Sequence, residues 1–291
     1  MTDLRLAMQK SGRLSDDSIA LLKRCGMSFD SPRGRLLVPC DNFPLDLLMV
    51  RDDDIPSYVA SGVADMGIVG LNVLKEYEAS SESPNLCLYR RLGFGRCRLS
   101  LAVPESFRWN GVSSLSGLRI ASSYPASLRL FLSSQGVAAT VVPMSGSVEI
   151  APGMGLADAV CDLVSSGSTL RSNGLREVQA LYESEAVLIT QKSPSYEGRK
   201  VLDRLTNRLD GVLSAQYSRY IMMNADFSSV AAISAIVPGL SQPTVMPLSG
   251  DEGRVAIHVV AAENVFWETL ERLKACGARD ILVLPIEKLM A

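Results

Sequence analysis

The sequence predicts an α/β protein in which two αβ lobes border a cleft and a βαββαβ unit follows at the C-terminal end. Three observations carry that prediction. From Leu4 to Gly70, buried-strand and amphipathic-helix signals alternate. A second alternation opens at "RLSLAVP", after the polar bridge "EASSESPN". The stretch beyond Tyr220 then repeats strand, helix, strand, strand, helix, strand. The expected boundaries place residues 1–95 and 185–220 in the first lobe, 96–184 in the second and 221–291 in the terminal unit.

The elements follow in order. "LRLAMQ" is strand-like, "DDSIALLKRCG" is an amphipathic helix ending at Gly26, and "FPLDLLMVR" is a buried strand. Asp52 to Asp54 precede an apolar helical stripe at Ile55, Val59 and Val63, with Pro56 acceptable in the first turn. "ADMGIVG" is a short buried strand closed by Gly70, and the alternation implies a mostly parallel sheet. The second lobe continues through "LRIASS", "ASLRLFLSSQG", "ATVVPM" and "LADAVCDLVSSG". From Glu185 the strand "AVLIT" and the long helical pattern "EGRKVLDRLTNRLDGVLSAQYSR" form the connection back to the first lobe. Two lobes joined by crossing segments make the cleft between them the natural binding place.

In the terminal unit, "YIMMNADF" is a strand and "SSVAAISAIV" a helix halted by Pro238 and Gly239. The strands "PTVMPLS" and "RVAIHVV" are separated by the turn "GDEG". "ENVFWETLERLKACG" is a helix with Phe266, Leu270 and Leu273 on one side and Gly277 past its end, and "DILVLPI" closes the unit. This order is the ferredoxin-like pattern, which packs both helices on one sheet face and leaves the other for association.

Composition excludes several classes of function. At 47% hydrophobic and 21% charged residues, the chain is that of a soluble globular protein. With 29 Lys plus Arg against 31 Asp plus Glu, no global positive field exists, and no recognition motif is present, so no nucleic-acid partner is expected. The N-terminus lacks a signal-peptide core and no run of about 18 apolar residues occurs. A cytoplasmic location without a membrane partner follows. The six cysteines form no C-x-x-C pair and read as reduced, mostly buried thiols, which speaks against zinc and disulfide redox chemistry. The single histidine, His258, shares a strand face with Ala256 and Val260, as a sheet or interface residue does, and no nucleophile turn accompanies it.

One turn stands out chemically. In "CDLVSSGSTLRSNGL" an apolar strand delivers Ser165, Ser166, Gly167, Ser168 and Thr169 to a helix start. Unpaired backbone N–H groups, hydroxyl donors and the positive helix end come together there, and a phosphate suits that combination. Gly167 allows the positive φ or close approach that such a nest requires. Asp162 could bond a ribose hydroxyl or orient a hydrated Mg²⁺. An ordinary Ser-rich capped turn has the same composition, so the turn alone leaves both readings open.

The block "GSVEIAPGMGLADAVCDLV", with Glu149, Gly153, Gly155 and Asp158, narrows the choice. Together with "AMQKSGRLSDDS", "RDDDIPSYVASGVADMGIVG" and "LGFGRCRLSLAVP", it resembles the ATP phosphoribosyltransferase family of the long-chain type. The resemblance spans essentially the whole chain, including the C-terminal unit that the short type lacks. It implies two lobes of periplasmic-binding-protein-like type and an ACT-like regulatory domain. It also implies that Asp162 to Leu170 form the phosphoribosyl-diphosphate loop, with the 5′-phosphate against Ser165, Ser166, Gly167, Ser168 and Thr169.

By the same resemblance, Glu149 serves the ribose hydroxyls, its alternative being a carboxylate satisfied by loop amides. Lys10, Ser11, Gly12 and Arg13 form a cationic turn for ATP or the leaving diphosphate, although isolated charges of this kind are commonly solvated. Arg51 binds substrate while Asp52 or Asp53 caps a helix. Arg90, Arg91, Arg96 and Arg98 read as a solvated face at the hinge, with an anion role open to Arg96 and Arg98. Tyr124 flanks adenine or packs. The implied catalytic set is Lys10, Arg13, Glu149 and Asp162.

The implied reaction is attack of ATP N1 on the anomeric carbon of phosphoribosyl diphosphate, with inversion, Mg²⁺ on the diphosphate and no covalent intermediate. Histidine is the implied inhibitor, with Asp251 in "PLSGDEGRVAI" pairing with its ammonium, and the assembly is a homo-oligomer, dimer or hexamer. At fold level a two-lobed metabolite sensor that binds without catalysis is the alternative. A pure sensor has no reason to keep both the phosphate turn and the Lys10/Arg13 block.

Overall fold

The computed structural model describes residues 4–290 except 33, 83, 84, 238, 240 and 241. The expected helix stop at Pro238, part of the polar bridge (Ser83 and Pro84) and the side chain of Phe266 lie outside the described residues. The chain divides into two compact units, Met1–Asp203 and Arg204–Ala291.

The first unit contains, in chain order, β1 (Leu4–Gln9), α1 (Arg13–Arg24), β2 (Leu37–Pro39), β3 (Leu45–Val50), α2 (Ile55–Ala60), β4 (Met66–Gly70), α3 (Leu71–Ser80) and β5 (Cys87–Arg91). Then come β6 (Cys97–Pro104), β7 (Arg119–Ser122), α4 (Pro125–Ser134), β8 (Thr140–Pro143), β9 (Ala159–Val164), α5 (Ser168–Ser172), β10 (Leu175–Ser184) and β11 (Ala186–Thr190). They form two sheets. The six-stranded sheet of the first lobe runs β2-β3-β1-β4-β11-β5, and the five-stranded sheet of the second runs β10-β6-β9-β7-β8.

The expected α/β class holds, whereas the mostly parallel sheet does not. In the first sheet only β3-β1 and β1-β4 are parallel, and the pairs made by β2, β11 and β5 are antiparallel. The reason is connectivity: β11 re-enters the first sheet straight from the second lobe, without the crossover helix that a parallel return requires. Of the residues read as a hinge charge run, Arg90 and Arg91 end β5, an edge strand beside β11, whereas Arg96 lies between β5 and β6 and Arg98 is in β6. Val63, expected on the helical stripe with Ile55 and Val59, falls beyond the end of α2 and is 43% exposed, because the helix stops at Ala60.

Apolar periodicity explains the core. Ile55, Val59, Leu74 and Ile189 pack under the first sheet. The second sheet is covered on both faces: Leu99, Leu101 and Val103 face one cluster with Leu128, while Ala102 faces another with Val148 and Leu170. A strand buried on both sides explains why "LSLAV" carries apolar residues on both faces, with Ser100 as its buried polar member. The six cysteines stand as thiols outside any disulfide, and Cys25 and Cys161 are the buried ones, since the other four lie near edges and loops.

The long helix α6 (Tyr196–Gln216) carries the chain across the division. The second unit continues with β12 (Ser218–Asp226), α7 (Val230–Ile236), β13 (Thr244–Leu248), β14 (Asp251–Ala262), α8 (Glu263–Ala275) and β15 (Arg279–Pro285). Its sheet order, β13-β14-β12-β15, all antiparallel, is the ferredoxin-like arrangement. Ile221, Met223, Ile257 and Val259 point to one face with Ile233 and Leu273 of the helices. His258 lies on the other face, paired in register with Met222 and Thr244, and its Nδ1 meets Tyr220 Oη at 2.6 Å. The hairpin turn sits earlier than "GDEG": Ser249 and Gly250 make it, and Asp251 already begins β14. Gly250, at φ 81°, supplies the left-handed residue that a tight hairpin demands.

Candidate functional site

Two crossing segments join the lobes of the first unit, and one carboxylate ties them. Glu185 accepts from the Gly93 N–H at 3.1 Å and from Arg91 Nη1 at 2.8 Å. Beside this hinge opens a cleft of about 500 Å³. Gln9, Arg13, Asp17, Asp52, Gly70 and Asn72 line it from the first lobe, and Arg96, Tyr124, Leu163 and Ser165 come from the crossing segment and the second lobe.

Arg13 reaches the cleft because Gly12, at φ 98°, turns the chain from β1 into α1. A cation in the first turn opposes the helix dipole, which favours acidic groups there, and Asp16 is the residue that follows that preference. Arg13 is therefore placed against local electrostatics, at the mouth of a polar cleft. Lys10, Ser11 and Gly12 are exposed beside it without lining the cleft. Arg51 is also exposed and outside the lining, where Asp52 stands instead, and the N-cap of α2 is Asp54 without a side-chain capping bond, not Asp52 or Asp53. Arg91 and Arg98 are engaged by Glu185 and Glu177, which leaves Arg96 as the member of the hinge group that lines the cleft.

On the opposite wall, β9 ends at Val164 and the hydroxyl turn leads into α5. Gly167 is left-handed at φ 72°, and a Cβ there would stand 3.1 Å from Arg171 Nη1. Arg98 Nη1 holds the Ser165 carbonyl at 3.3 Å and Arg171 Nη1 holds that of Ser166 at 3.2 Å. With those carbonyls turned toward arginines, the first-turn N–H groups of Ser168, Thr169 and Leu170 have no intrahelical acceptor, and that of Ser168 makes only a long bond to Ser166 Oγ at 3.5 Å. Ser166 and Ser168 share a hydroxyl hydrogen bond at 3.0 Å and, like Ser165 and Thr169, are exposed, while buried Leu170 anchors the turn to the core.

Asp162 and Glu149 stand behind this turn, near enough to interact. Burial pushes the Asp162 carboxyl above the usual carboxylate range and the Glu149 charge adds to the effect, while the Leu163 N–H at 2.8 Å opposes it. A carboxyl with a raised folded pKa costs stability once pH exceeds its unfolded value of about 3.9, because the folded state resists ionising. Asp162→Asn keeps the acceptor for Leu163 and should raise the melting temperature at pH 7. The gain should vanish near pH 3; a variant that melts lower than the parent at pH 7 contradicts it.

Tyr124 both lines the cleft and packs against the cores of both lobes. Its Oη accepts a hydrogen bond from Asn72 Nδ2 at 2.9 Å. Burial first, then the Asp162, Asp52 and Asp53 charges, push the phenol far above its ordinary value, so it stays protonated. Asn72 escaped the sequence reading, as did Asp17. Its one signal is Gly70, where a Cβ would collide with Asn72 Oδ1. Asp251, in the second unit, accepts from the Gly253 N–H at 3.3 Å and faces Arg254 at 3.9 Å.

An arginine and a hydroxyl-rich turn on facing walls of a two-lobed cleft are the frame of a transferase or binding protein for anionic small molecules. The profile described as "HisG: ATP phosphoribosyltransferase" matches residues 51–211, and that described as "HisG, C-terminal domain" matches residues 215–288. The chain belongs to the ATP phosphoribosyltransferase family, in its long-chain form, and is thus a pentosyltransferase of histidine biosynthesis.

Among solved structures, the ATP phosphoribosyl transferase (HisG:HisZ) complex from Thermotoga maritima is 28% identical with a TM-score of 0.61, over 71% of this chain and 95% of that one. The alkanesulfonate-binding protein SsuA from Xanthomonas axonopodis pv. citri, bound to MOPS, is 15% identical with a TM-score of 0.46, over 72% of each chain. The periplasmic VFT2 domain of Bordetella pertussis BvgS is 19% identical with a TM-score of 0.46, over 71% of this chain and 86% of that one. Among the described residues, no helix is long and apolar enough to cross a membrane.

Proposed function

We propose that the chain transfers the 5-phosphoribosyl group of phosphoribosyl diphosphate to N1 of ATP, releasing diphosphate and N1-(5-phospho-β-D-ribosyl)-ATP. One observation carries the reading: Arg13 and the hydroxyl turn, through Ser165, face the same cleft from opposite lobes. The turn receives the 5′-phosphate on the N–H groups and hydroxyls of Ser165 to Thr169. The sugar then lies across the cleft with its C1 toward the first lobe, where Arg13, with Lys10 beside it, neutralises the departing diphosphate. ATP enters along the Asp52 and Tyr124 side, away from the diphosphate at Arg13, so that N1 faces C1 from the side opposite the leaving oxygen. The new C–N bond forms as the C–O bond breaks, and the positive charge that develops on the ribose falls near Asp162 and Glu149. Arg51 reaches the nucleotide only at the cleft's outer edge.

Mg²⁺ commonly binds through one or two carboxylates plus substrate phosphates. No group of three or more metal-ligating side chains occurs among the described residues, and the pair Asp162 and Glu149 fits the lesser share that remains for protein ligands when a diphosphate brings the ion. That ion would supply charge neutralisation at the leaving group.

The test is direct. Incubated with ATP, phosphoribosyl diphosphate, Mg²⁺ and a diphosphatase, the chain should produce the absorbance rise of phosphoribosyl-ATP only when both substrates are present. Binding of both substrates without product would establish a sensor instead.

Feedback inhibition by histidine belongs to the ferredoxin-like unit in this reading, with Asp251 releasing its local partners to take the ligand's ammonium. Inhibition requires two assemblies of unequal histidine affinity, an active dimer and a tighter hexamer, because a ligand that binds both equally shifts nothing. Size-exclusion chromatography should show the mass rising when histidine is added; an unchanged mass rules the exchange out.

A further inference from the structure

Helix α3 of the first lobe turns one face to the second lobe, and that face is polar. Asn72, Lys75 and Glu76 stand three and four positions apart, which puts them on one side of the helix. Asn72 is 5% exposed. Its N–H donates to Ser184 Oγ at 3.0 Å, its Oδ1 accepts from that hydroxyl at 2.8 Å, and its Nδ2 donates to Tyr124 Oη at 2.9 Å. All three bonds cross to the second lobe. One turn further on, the two oxygens of Glu76 accept the N–H groups of Ala126 at 2.7 Å and Ser127 at 2.8 Å.

Those N–H groups belong to the first turn of α4, where Tyr124 is the N-cap and makes no side-chain capping bond. A helix start is normally capped by its own N-cap residue. Here the acceptor comes from 50 residues earlier, on the other lobe. Between the two anchors, Lys75 Nζ stands 3.8 Å from the centre of the Tyr182 ring, adding a cation–π contact across the same boundary. Tyr124 is thus gripped at both ends: the phenol oxygen by Asn72, the backbone just beyond it by Glu76.

We propose that Asn72 and Glu76 are positioning residues for the nucleotide, a two-point clamp from the first lobe that sets where the Tyr124 edge of the second lobe stands in the cleft. The proposal rests on the reading of this cleft as the substrate site. The phosphate turn hangs on a different loop, between β9 and α5, so the clamp acts on the ATP side and leaves the grip on the sugar phosphate alone.

The experiment uses the full chain, with each substrate varied in turn, in the variants Glu76→Gln, Asn72→Ala, Tyr124→Phe and the Asn72→Ala/Tyr124→Phe double. Glu76→Gln keeps one acceptor and loses the charge. It should raise the KM for ATP about five- to tenfold, the scale of one weakened charge-assisted hydrogen bond, with the KM for phosphoribosyl diphosphate unchanged within about twofold. Asn72→Ala and Tyr124→Phe end the same hydrogen bond, so the double variant should be no worse than the worse single one. Multiplied effects in the double variant, or both Michaelis constants rising together in Glu76→Gln, overturn the clamp. Should Asn72→Ala not fold, Glu76→Gln decides the matter alone. An active parent whose variants leave both constants unmoved sinks the clamp and spares the function; a parent that forms no product sinks the function, and the same variants read by equilibrium ATP binding still decide the clamp.

Discussion

Gly167→Val should raise the KM for phosphoribosyl diphosphate about a hundredfold while the protein stays folded. The native φ of 72° is left-handed, a region that costs an L-residue about 1–2 kcal/mol, and valine's branched Cβ adds to that. The added atom also starts 3.1 Å from Arg171 Nη1, a side chain that steadies the Ser166 carbonyl. The least costly escape is for the turn to leave the left-handed region, which swings the N–H groups of Ser168 and Thr169 off the phosphate. Two hydrogen bonds to a charged group, each worth about 1.5–3 kcal/mol, correspond to roughly two orders of magnitude or more in affinity. The fold should bear the loss, because the turn is exposed and Leu170 remains its anchor. Steady-state kinetics together with a melting curve check it; a near-normal KM would place the phosphate elsewhere.

Arg13→Ala has the second large effect. The guanidinium sits in the first turn of α1, where the dipole opposes it, so the residue gains little from local structure and its removal should hardly change stability. In the proposed reaction the diphosphate leaving group loses the first lobe's cation in the cleft, and kcat/KM should fall by about 10²–10³, the size of losing one preorganised donor to a developing anion. Arg13→Lys should recover part of this, because an ammonium restores the charge but not the two-pronged geometry. Lys10→Ala should cost less, since Lys10 lies outside the cleft lining. If Lys10→Ala and Arg13→Ala turn out equal, the division of labour drawn from the cleft is wrong.

Much of this architecture was legible in the sequence because period and punctuation coincide. "LRLAMQ", "ADMGIVG" and "AVLIT" became β1, β4 and β11 almost residue for residue, and the terminal βαββαβ order emerged intact. What escaped the reading depends on partners far along the chain. Sheet polarity turned on β11 coming back from the second lobe without a crossover helix, a fact of topology that the short run "AVLIT" does not contain. The arginines of "RRLGFGRCRL" looked uniform, yet Glu185 takes Arg91, Glu177 takes Arg98, and Arg96 alone of these three lines the cleft.

The site shows the same division. The hydroxyl turn was visible because glycine, hydroxyl residues and a strand end are local signals. Arg13 was visible through its motif, and the cleft then separated it from Lys10 of the same motif and from Arg51 of the next block. Apart from Gly70 beside Asn72, neither Asn72 nor Glu76 carries a local signal: in "LNVLKEY" they read as an ordinary helix face, and their meaning comes from Ser184, Tyr124 and the start of α4.

A crystal structure of the full chain with phosphoribosyl diphosphate and Mg²⁺ tests the central claim most directly. The sugar's phosphate should rest on the amides and hydroxyls of Ser165 to Thr169, with the diphosphate extending toward Arg13. Density for the ligand in another place, with that bend closed off by protein atoms, would contradict the account.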